Sequence, residues 1–345
     1  MSILSSGLKS KSSSAPPAAK AAWLAVPLLL CLGSQAAEAA CGTLWTPRVS
    51  GTTAALRGVA WNGSTFVVVG NNSSNGSGVV LTSSTGLKWT LRDPKTPGSA
   101  TLPGSLNGVA WGDGRFVAVG NGGTILTSLD GKTWTSQQSG VVETLYAVTF
   151  GGGKYIATGD QGVILSSPDG ENWTPQESGT PFGSLNGVAW NDKLFVAAGA
   201  DAFLSRVVLT SPDAVKWTPR NQGTSAALTG VTYGAGQFVA VGYQYDPDTF
   251  TNTAVAMTSP DGAKWALRYS GFNGWLAGAT WTGKFYAAVG GNFPGPSAVL
   301  VSSLGRTWVQ RDSSPVSKIL YGVAFGPDRL VAVGAFGTIA TSACR

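Results

Sequence analysis

The stretch LNGVAWGDGRFVAVG, residues 106–120, decides the fold, because relatives of it recur along the chain. It contains two short apolar runs joined by a turn rich in glycine and aspartate, which is the pattern of a β-hairpin. Seven copies occur at spacings of 39–50 residues, and their first residues are Leu56, Leu106, Leu145, Leu185, Leu228, Leu276 and Leu320. The chain is therefore built from seven repeats of one unit.

A second segment follows the hairpin, and its best example is ILTSLDGKTWT, residues 125–135. An apolar run, a tight turn and a tryptophan strand form a second hairpin, so each unit supplies four short strands. Four-stranded units with a period of roughly 40–50 residues are typical of β-propellers. We therefore predict an all-β protein, a seven-bladed β-propeller with four antiparallel strands per blade. The 48 glycines and the 12% of charged residues agree with many short strands and tight turns.

The two ends of the repeat region complement each other. The seventh unit runs GTIATSACR, residues 337–345, and stops before its tryptophan strand, whereas CGTLW, residues 41–45, contains only the second half of the turn. In this register Cys41 and Cys344 both take the aspartate position. We therefore predict that the N-terminal strand completes the last blade, and that Cys41 and Cys344 form a disulfide. Such closure removes open sheet edges.

Residues 1–39 are predicted to be a signal peptide and residues 40–345 the propeller. Lysines precede the apolar run at 21–33, and AEA at 37–39 offers small residues for cleavage. The apolar run is too short to span a bilayer comfortably, and no second run approaches spanning length. We expect an exported monomer, periplasmic or extracellular, without a transmembrane segment. A lipid anchor at Cys41 is the less favoured alternative, because Glu38 and Ala39 make a poor lipobox.

Composition excludes several kinds of function. The sequence has no histidine, which excludes His-dependent catalytic triads and His metal ligands. The 20 basic and 16 acidic groups outside the leader are scattered through the repeats, so we expect no nucleic-acid partner. The cysteines allow no zinc site, and no glycine-rich phosphate loop follows a strand and opens a helix. We expect no cofactor and no metal.

The turn S-x-D-G-x-x-W resembles the Asp-box, or BNR-type, repeat of sialidases, sortilin-like receptors and photosystem II assembly factor propellers. Its best copies occupy residues 128–134, 167–173 and 259–265. It is one residue shorter than the usual S-x-D-x-G-x-x-W, and the copy at 211–217 has Ala214 instead of glycine. The resemblance covers residues 41–345 and implies the fold of WD40/YVTN/BNR-like propellers, which hosts both enzymes and binding proteins. Turn aspartates commonly bond backbone amides, so a structural role is expected for Asp130, Asp169, Asp213 and Asp261.

Residues that break the repeat are candidates for function. Nearly all variation in loop length falls on one face, which carries the connections between second and third strands and between blades. The long loops there occupy residues 71–78, 200–206, 243–253 and 291–297. We call this face the variable-loop face and expect it to bind the ligand.

Aromatic residues concentrate in the loops of units five and six. Trp275 is the one tryptophan of the predicted mature chain that the repeat does not require. Its companions in the variable loops are Tyr243, Tyr245, Phe250, Phe272 and Phe293. Together these rings would stack on sugars or grip an extended peptide. The alternative is that they pack the long loops against each other.

One position varies while its neighbours stay nearly constant. It follows the first leucine of each hairpin and is occupied by Arg57, Asn107, Tyr146, Asn186, Thr229, Ala277 and Tyr321. Because the first strand of a propeller blade lines the central channel, we expect this ring of residues to face the channel mouth. Its polar variety suits either ligand contact or a hydrated pore.

The sequence lacks the residue set of the enzymes it resembles. Sialidases need an arginine cluster, a tyrosine–glutamate pair and an acidic catalyst, whereas Arg57 has no matching inner-strand arginines and the F/Y-R-I-P motif is absent. Carboxylates outside any recognisable motif are Glu143, Asp160, Asp201, Asp246 and Asp248, and calcium binding by Asp246, Asp248 and Asn252 fits no known loop closely. We predict a non-catalytic propeller that binds or scaffolds a protein partner. The alternative is a carbohydrate-binding propeller, with or without glycoside hydrolase activity.

Overall fold

Short β-strands account for most of the regular structure. The computed structural model describes residues 41–92, 104–180, 183–220, 226–292, 295 and 297–344. These ranges contain 27 strands and three short 3-10 turns, so the described protein is all-β, as predicted. The predicted signal peptide and Phe293 lie outside the described residues. Within them, no helix is long and apolar enough to cross a membrane.

The strands follow the sequence repeats in chain order. They are β1 (Thr46–Arg48), β2 (Ala55–Trp61), β3 (Phe66–Asn71), β4 (Gly78–Ser83), β5 (Thr90–Arg92), β6 (Leu106–Gly112), β7 (Arg115–Gly120), β8 (Ile125–Ser128), β9 (Thr135–Gln137), β10 (Leu145–Gly151), β11 (Lys154–Gly159), β12 (Ile164–Ser167), β13 (Thr174–Gln176), β14 (Gly183–Trp190), β15 (Phe195–Asp201), β16 (Arg206–Ser211), β17 (Thr218–Pro219), β18 (Ala227–Gly234), β19 (Gln237–Asp246), β20 (Thr251–Ser259), β21 (Ala266–Trp281), β22 (Tyr286–Asn292), β23 (Ser297–Ser302), β24 (Val309–Arg311), β25 (Leu320–Phe325), β26 (Arg329–Gly334) and β27 (Ile339–Ala343). The 3-10 turns are Asn121–Gly123, Asp160–Gly162 and Ala335–Gly337.

Strands that are neighbours in sequence pair antiparallel. Five sheets have four strands each, in the orders β2-β3-β4-β5, β6-β7-β8-β9, β10-β11-β12-β13, β14-β15-β16-β17 and β1-β27-β26-β25. The sixth sheet has seven strands, β18 to β24 in order. The innermost strands also pack side by side in the series β2, β6, β10, β14, β18, β21 and β25, and β25 contacts β2 again. The first strands of the repeats therefore surround a common centre.

The seven-stranded sheet differs from the predicted arrangement of separate four-stranded units. Its strand β21 is 16 residues long and serves two repeats. The first half pairs with β20, and the second half pairs with β22 from Gly274 onward. Between β9 and β10, by contrast, residues 138–144 turn the chain before the next unit begins. Seven sequence repeats therefore occupy six sheets.

The core lies between neighbouring sheets. In β7, Phe116 and Ala118 pack with residues of the first unit, whereas Val117 and Val119 pack with residues of the third. All four side chains are fully buried. A strand that is covered on both faces reads as a continuous apolar run instead of an alternating one, which explains the FVAV segment of the repeat.

The tight turn of the second hairpin is held by hydrogen bonds from its own side chains. The Asp130 carboxylate accepts the backbone N–H groups of Lys132 at 2.8 Å and Thr133 at 2.9 Å. The Gly131 N–H donates to Ser128 Oγ at 2.9 Å, and Trp134 Nε1 donates to the Gly131 carbonyl at 3.2 Å. The motif is therefore a self-contained turn whose tryptophan ring is anchored to the turn glycine.

The last copy of this turn is assembled from both ends of the described chain. The Gly42 N–H donates to Ser342 Oγ at 2.8 Å, and Trp45 Nε1 donates to the Gly42 carbonyl at 3.1 Å. Strand β1 pairs with β27, and a disulfide joins Cys41 to Cys344. The structure contains the predicted disulfide and the predicted pairing of the N-terminal strand.

Candidate functional site

A cavity of about 690 Å³ lies where the first strands of the repeats converge. All seven variable residues that follow the initial leucines line it: Arg57, Asn107, Tyr146, Asn186, Thr229, Ala277 and Tyr321. Among the described lining residues, Arg57 is the only charged one. The structure thus brings together side chains that lie far apart in sequence.

A β-bulge places these side chains. In every unit the pairing of the first and second strands skips one residue, for example Asn107 between Leu106 and Gly108. A bulged residue leaves the ladder and its side chain is re-aimed, here toward the cavity. The bulge also brings the backbones close together, because a Cβ on Gly120 would lie 1.9 Å from the Ser105 carbonyl oxygen. This contact explains the glycine that ends each hairpin.

Three of the bulged residues link one unit to the next. Asn107 Nδ2 donates to the Leu145 carbonyl at 2.9 Å, and Asn186 Nδ2 donates to the Leu228 carbonyl at 2.8 Å. Thr229 Oγ1 donates in the same way to the carbonyl oxygen of Leu276 at 2.5 Å. These polar side chains therefore satisfy backbone groups of the neighbouring strand, a role that sequence reasoning did not foresee.

On one side of the cavity, Arg57 and Tyr321 lie together. The guanidinium carbon of Arg57 is 5.1 Å from the centroid of the Tyr321 ring, a cation–π distance. Arg57 Nε also donates to Asn71 Oδ1 at 3.3 Å. A ligand in the cavity could therefore contact a cation, an aromatic face and an amide in this cluster.

A second polar cluster surrounds Tyr146. Burial raises the pKa of Tyr146, and so does the neighbouring Asp160 carboxylate. Ser184 Oγ donates to the same carboxylate at 2.5 Å. Tyr146 is therefore neutral over the physiological range and lines the cavity with its hydroxyl near Asp160.

The predicted aromatic cluster divides between two places. Trp275 is half-buried and lines the cavity, close to Gly291 and Ile319. Tyr245 and Phe250 lie on the long β19–β20 hairpin and are exposed, and Tyr243 below them is half-buried. Phe272 contacts the core between units five and six, with its ring centroid 6.4 Å from that of Tyr269. For Phe272, the structure therefore agrees with the alternative that an aromatic ring packs within the fold instead of binding a ligand.

Four polar residues of the described cavity lining were not identified from sequence: Asn71, Ser105, Asn121 and Thr144. Each lies directly before the leucine or directly after the glycine of a hairpin. Pairing of the first and second strands brings such positions side by side, as in the register of Ala55 with Asn71. Extending the predicted hairpin by one residue at each end would have found them.

Two of the candidate carboxylates accept hydrogen bonds within their own loops. The Asp201 carboxylate accepts the N–H groups of Phe203 and Ser205 in its own loop, and Asp246 accepts that of Asp248. The Thr249 hydroxyl and the Asp248 amide hold the pKa of Asp246 below its ordinary value. No carboxylate is among the described residues that line the cavity, and the described ranges contain no group of three potential metal ligands.

No family model and no curated protein matches the chain. Solved structures do match. YCF48 bound to D1 peptide has a TM-score of 0.63 at 18% identity, over 87% of this chain and 95% of that chain. Virginiamycin B lyase from Staphylococcus aureus has a TM-score of 0.68 at 10% identity, over 87% of this chain and 99% of that chain. The WD40 β-propeller domain of Doa1 has a TM-score of 0.61 at 10% identity, over 88% of this chain and 98% of that chain. At these identities the likeness concerns the fold alone, which is of the β-propeller type.

Proposed function

We propose that this chain is an exported, non-catalytic, seven-bladed Asp-box propeller that binds a protein partner through its variable-loop face. Seven sequence repeats, the circular series of contacts among first strands and the self-bonded turns support this architecture. The leader and the disulfide between Cys41 and Cys344 support export, since disulfides persist in oxidising compartments.

One observation carries the binding proposal. Seven positions that vary in residue type, although their neighbours hardly vary, line a single cavity. Asn107, Asn186 and Thr229 link neighbouring units by hydrogen bonds, but a scaffold role of this kind does not require arginine or tyrosine at the equivalent places. Tyrosine and arginine are also the residue types that most often dominate protein interfaces. A protein of similar fold, YCF48, has been solved with a bound D1 peptide, which supports a peptide-bearing partner here.

Two features support the absence of catalysis. The described cavity lining offers no carboxylate pair of the kind that glycosidases use, and Arg57 has no second arginine beside it there. The purified protein should therefore not cleave sialosides or aryl glycosides. Turnover that disappears with Asp201→Asn or Asp246→Asn would contradict this part of the proposal.

Cross-linking followed by co-purification tests the binding proposal. The native chain should retain a protein partner that the double variant Tyr146→Ala/Tyr321→Ala loses. A variant on the opposite face, Lys132→Ala, should retain it. A glycan array probed with the same three proteins tests the carbohydrate alternative. Glycan binding that depends on Tyr146 and Tyr321, without any retained protein, would replace the proposed function with that alternative.

A further inference from the structure

Two adjacent loops of the variable-loop face present apolar side chains directly to solvent. Phe203 is 88% exposed and Phe250 is 81% exposed, and neither ring stacks on another aromatic ring of the described residues. Leu204 adjoins Phe203 and is also exposed. These side chains therefore do not form a small core that holds the loops together. Exposed apolar groups in one place commonly mark a contact surface.

The backbone at these loops is strained. Leu204 has φ 58° and Phe250 has φ 54°, both in the left-handed region that favours glycine. Bulky apolar residues are unfavourable in this conformation, and their exposed side chains gain no burial within the chain in return. Neither residue is explained by the fold, and strain of this kind is a pointer to function.

The same two loops are acidic. Asp201 precedes Phe203 and Leu204 in the first loop, and Asp246 and Asp248 precede Phe250 in the second. The hydroxyl of Thr249 helps to keep the pKa of Asp246 below its ordinary value. The one cation of the two loops, Arg206, is buried and reaches Met257 of the next unit, with Nη1 3.7 Å from Sδ. That contact ties unit four to unit five and withdraws the positive charge from the surface.

We propose that these residues form one docking surface, the tip patch, for a protein segment that carries basic and apolar side chains together. The tip patch consists of Asp201, Phe203, Leu204, Asp246, Asp248 and Phe250. Its charge complements lysine or arginine, and its rings supply the apolar contact. An anionic membrane is disfavoured as occupant, because the three carboxylates would repel it. This inference rests on the proposed function and names the partner's chemistry.

Peptide binding measured by fluorescence anisotropy tests the tip patch. Three synthetic 15-residue peptides serve as probes, one of leucine, phenylalanine and lysine, one with glutamate in place of lysine, and one with serine in place of the apolar residues. The apolar–lysine peptide should bind at least 10-fold more tightly than either of the others. Phe203→Ser/Phe250→Gly should weaken it at least 10-fold, and Asp246→Asn/Asp248→Asn should reduce its salt dependence.

Leu129→Ser provides the control, since Leu129 is 71% exposed on the opposite face. It should leave binding unchanged. Equal binding of the glutamate peptide, or indifference to Phe203→Ser/Phe250→Gly, would overturn the inference. The inference would also be overturned if the chain bound no peptide but co-sedimented with phosphatidylglycerol vesicles, and if this co-sedimentation required Phe203 and Phe250. The proposed function would survive these results if the partner still depended on Tyr146 and Tyr321, and would fail if no part of the variable-loop face mattered.

Discussion

At the scale of single residues, the bulged position performs one of two tasks in five of the seven units. Asn107, Asn186 and Thr229 donate to a carbonyl of the next first strand. Tyr146 and Tyr321 make no such bond within the described residues and present their hydroxyl and ring to the cavity. The ring of variable residues is thus partly a set of links between units and partly a candidate binding surface.

Removal of one link should lower stability and leave the arginine and the tyrosines of the cavity unchanged. Asn186→Ala leaves the buried Leu228 carbonyl without its donor, which should cost about 1–2 kcal/mol in the free energy of unfolding. Asn71→Ala removes another side-chain amide from the same cavity. Because that amide is hydrogen-bonded to the exposed Arg57, its loss should change the free energy of unfolding by less than about 0.5 kcal/mol. Urea denaturation of both variants measures the difference, and equal losses would contradict the linking role.

Trp275→Ala should weaken partner binding by about 2 kcal/mol or more, because a half-buried aromatic residue at the cavity is a typical interface anchor. The melting temperature should hardly change. Trp134→Ala supplies the contrast, since Trp134 is fully buried and its truncation should cost about 3–5 kcal/mol of stability. Titration with the co-purified partner and thermal denaturation separate the two effects. A large loss of stability in Trp275→Ala would show that the residue mainly packs the fold.

At the scale of the element, the turn of the second hairpin uses one carboxylate to hold two backbone amides. The amide and side chain of Asn172 hold the pKa of Asp169 well below its ordinary value. The amides of Lys216 and Val215 lower that of Asp213 to about 2. Asp261 is lowered chiefly by the amide of Lys264. In Asp130 desolvation acts in the opposite direction, but the hydrogen bonds still leave its pKa lowered.

These depressed pKa values predict acid sensitivity. A carboxylate whose pKa is lower in the folded chain stabilises the fold above its unfolded value, here 3.8, and that contribution is lost as pH falls through the folded value. The urea midpoint should therefore drop between about pH 4 and pH 2. Asp169→Asn should make the drop shallower, whereas Glu177→Gln, at an exposed carboxylate outside the turns, should not. Identical pH profiles for all three proteins would contradict the argument.

At the scale of the whole molecule, three kinds of contact join the two ends of the described chain. Pairing of β1 with β27, the shared turn at Gly42 and Ser342, and the Cys41–Cys344 disulfide all act at one place. Without them the sheet of β25, β26 and β27 would expose an unpaired edge. The closure therefore stabilises every unit, since each core is shared with a neighbour.

Loss of the disulfide should destabilise the entire fold. The link spans 303 residues, and the chain-entropy relation sets a ceiling of about 5–6 kcal/mol for such a loop. Cys41→Ser/Cys344→Ser should remain folded by circular dichroism but unfold at lower urea concentration. The native chain in reductant should match that variant. Superimposable curves with and without the disulfide would show that strand pairing alone closes the molecule.

The repeat by itself determined the β class, the hairpins, the paired ends and the list of bulged residues, because these follow from local periodicity and from which positions vary. The tertiary structure decided the rest. Whether Asn186 links strands or faces a ligand depends on a carbonyl 42 residues away, and the exposure of Phe203 and Phe250 depends on what neighbouring units leave uncovered. The continuity of β21 across two units likewise needed the structure, since strand pairing on both sides outweighs the turn signals of its glycines. Local sequence encodes strands and turns, whereas the partner of each side chain is set by long-range packing.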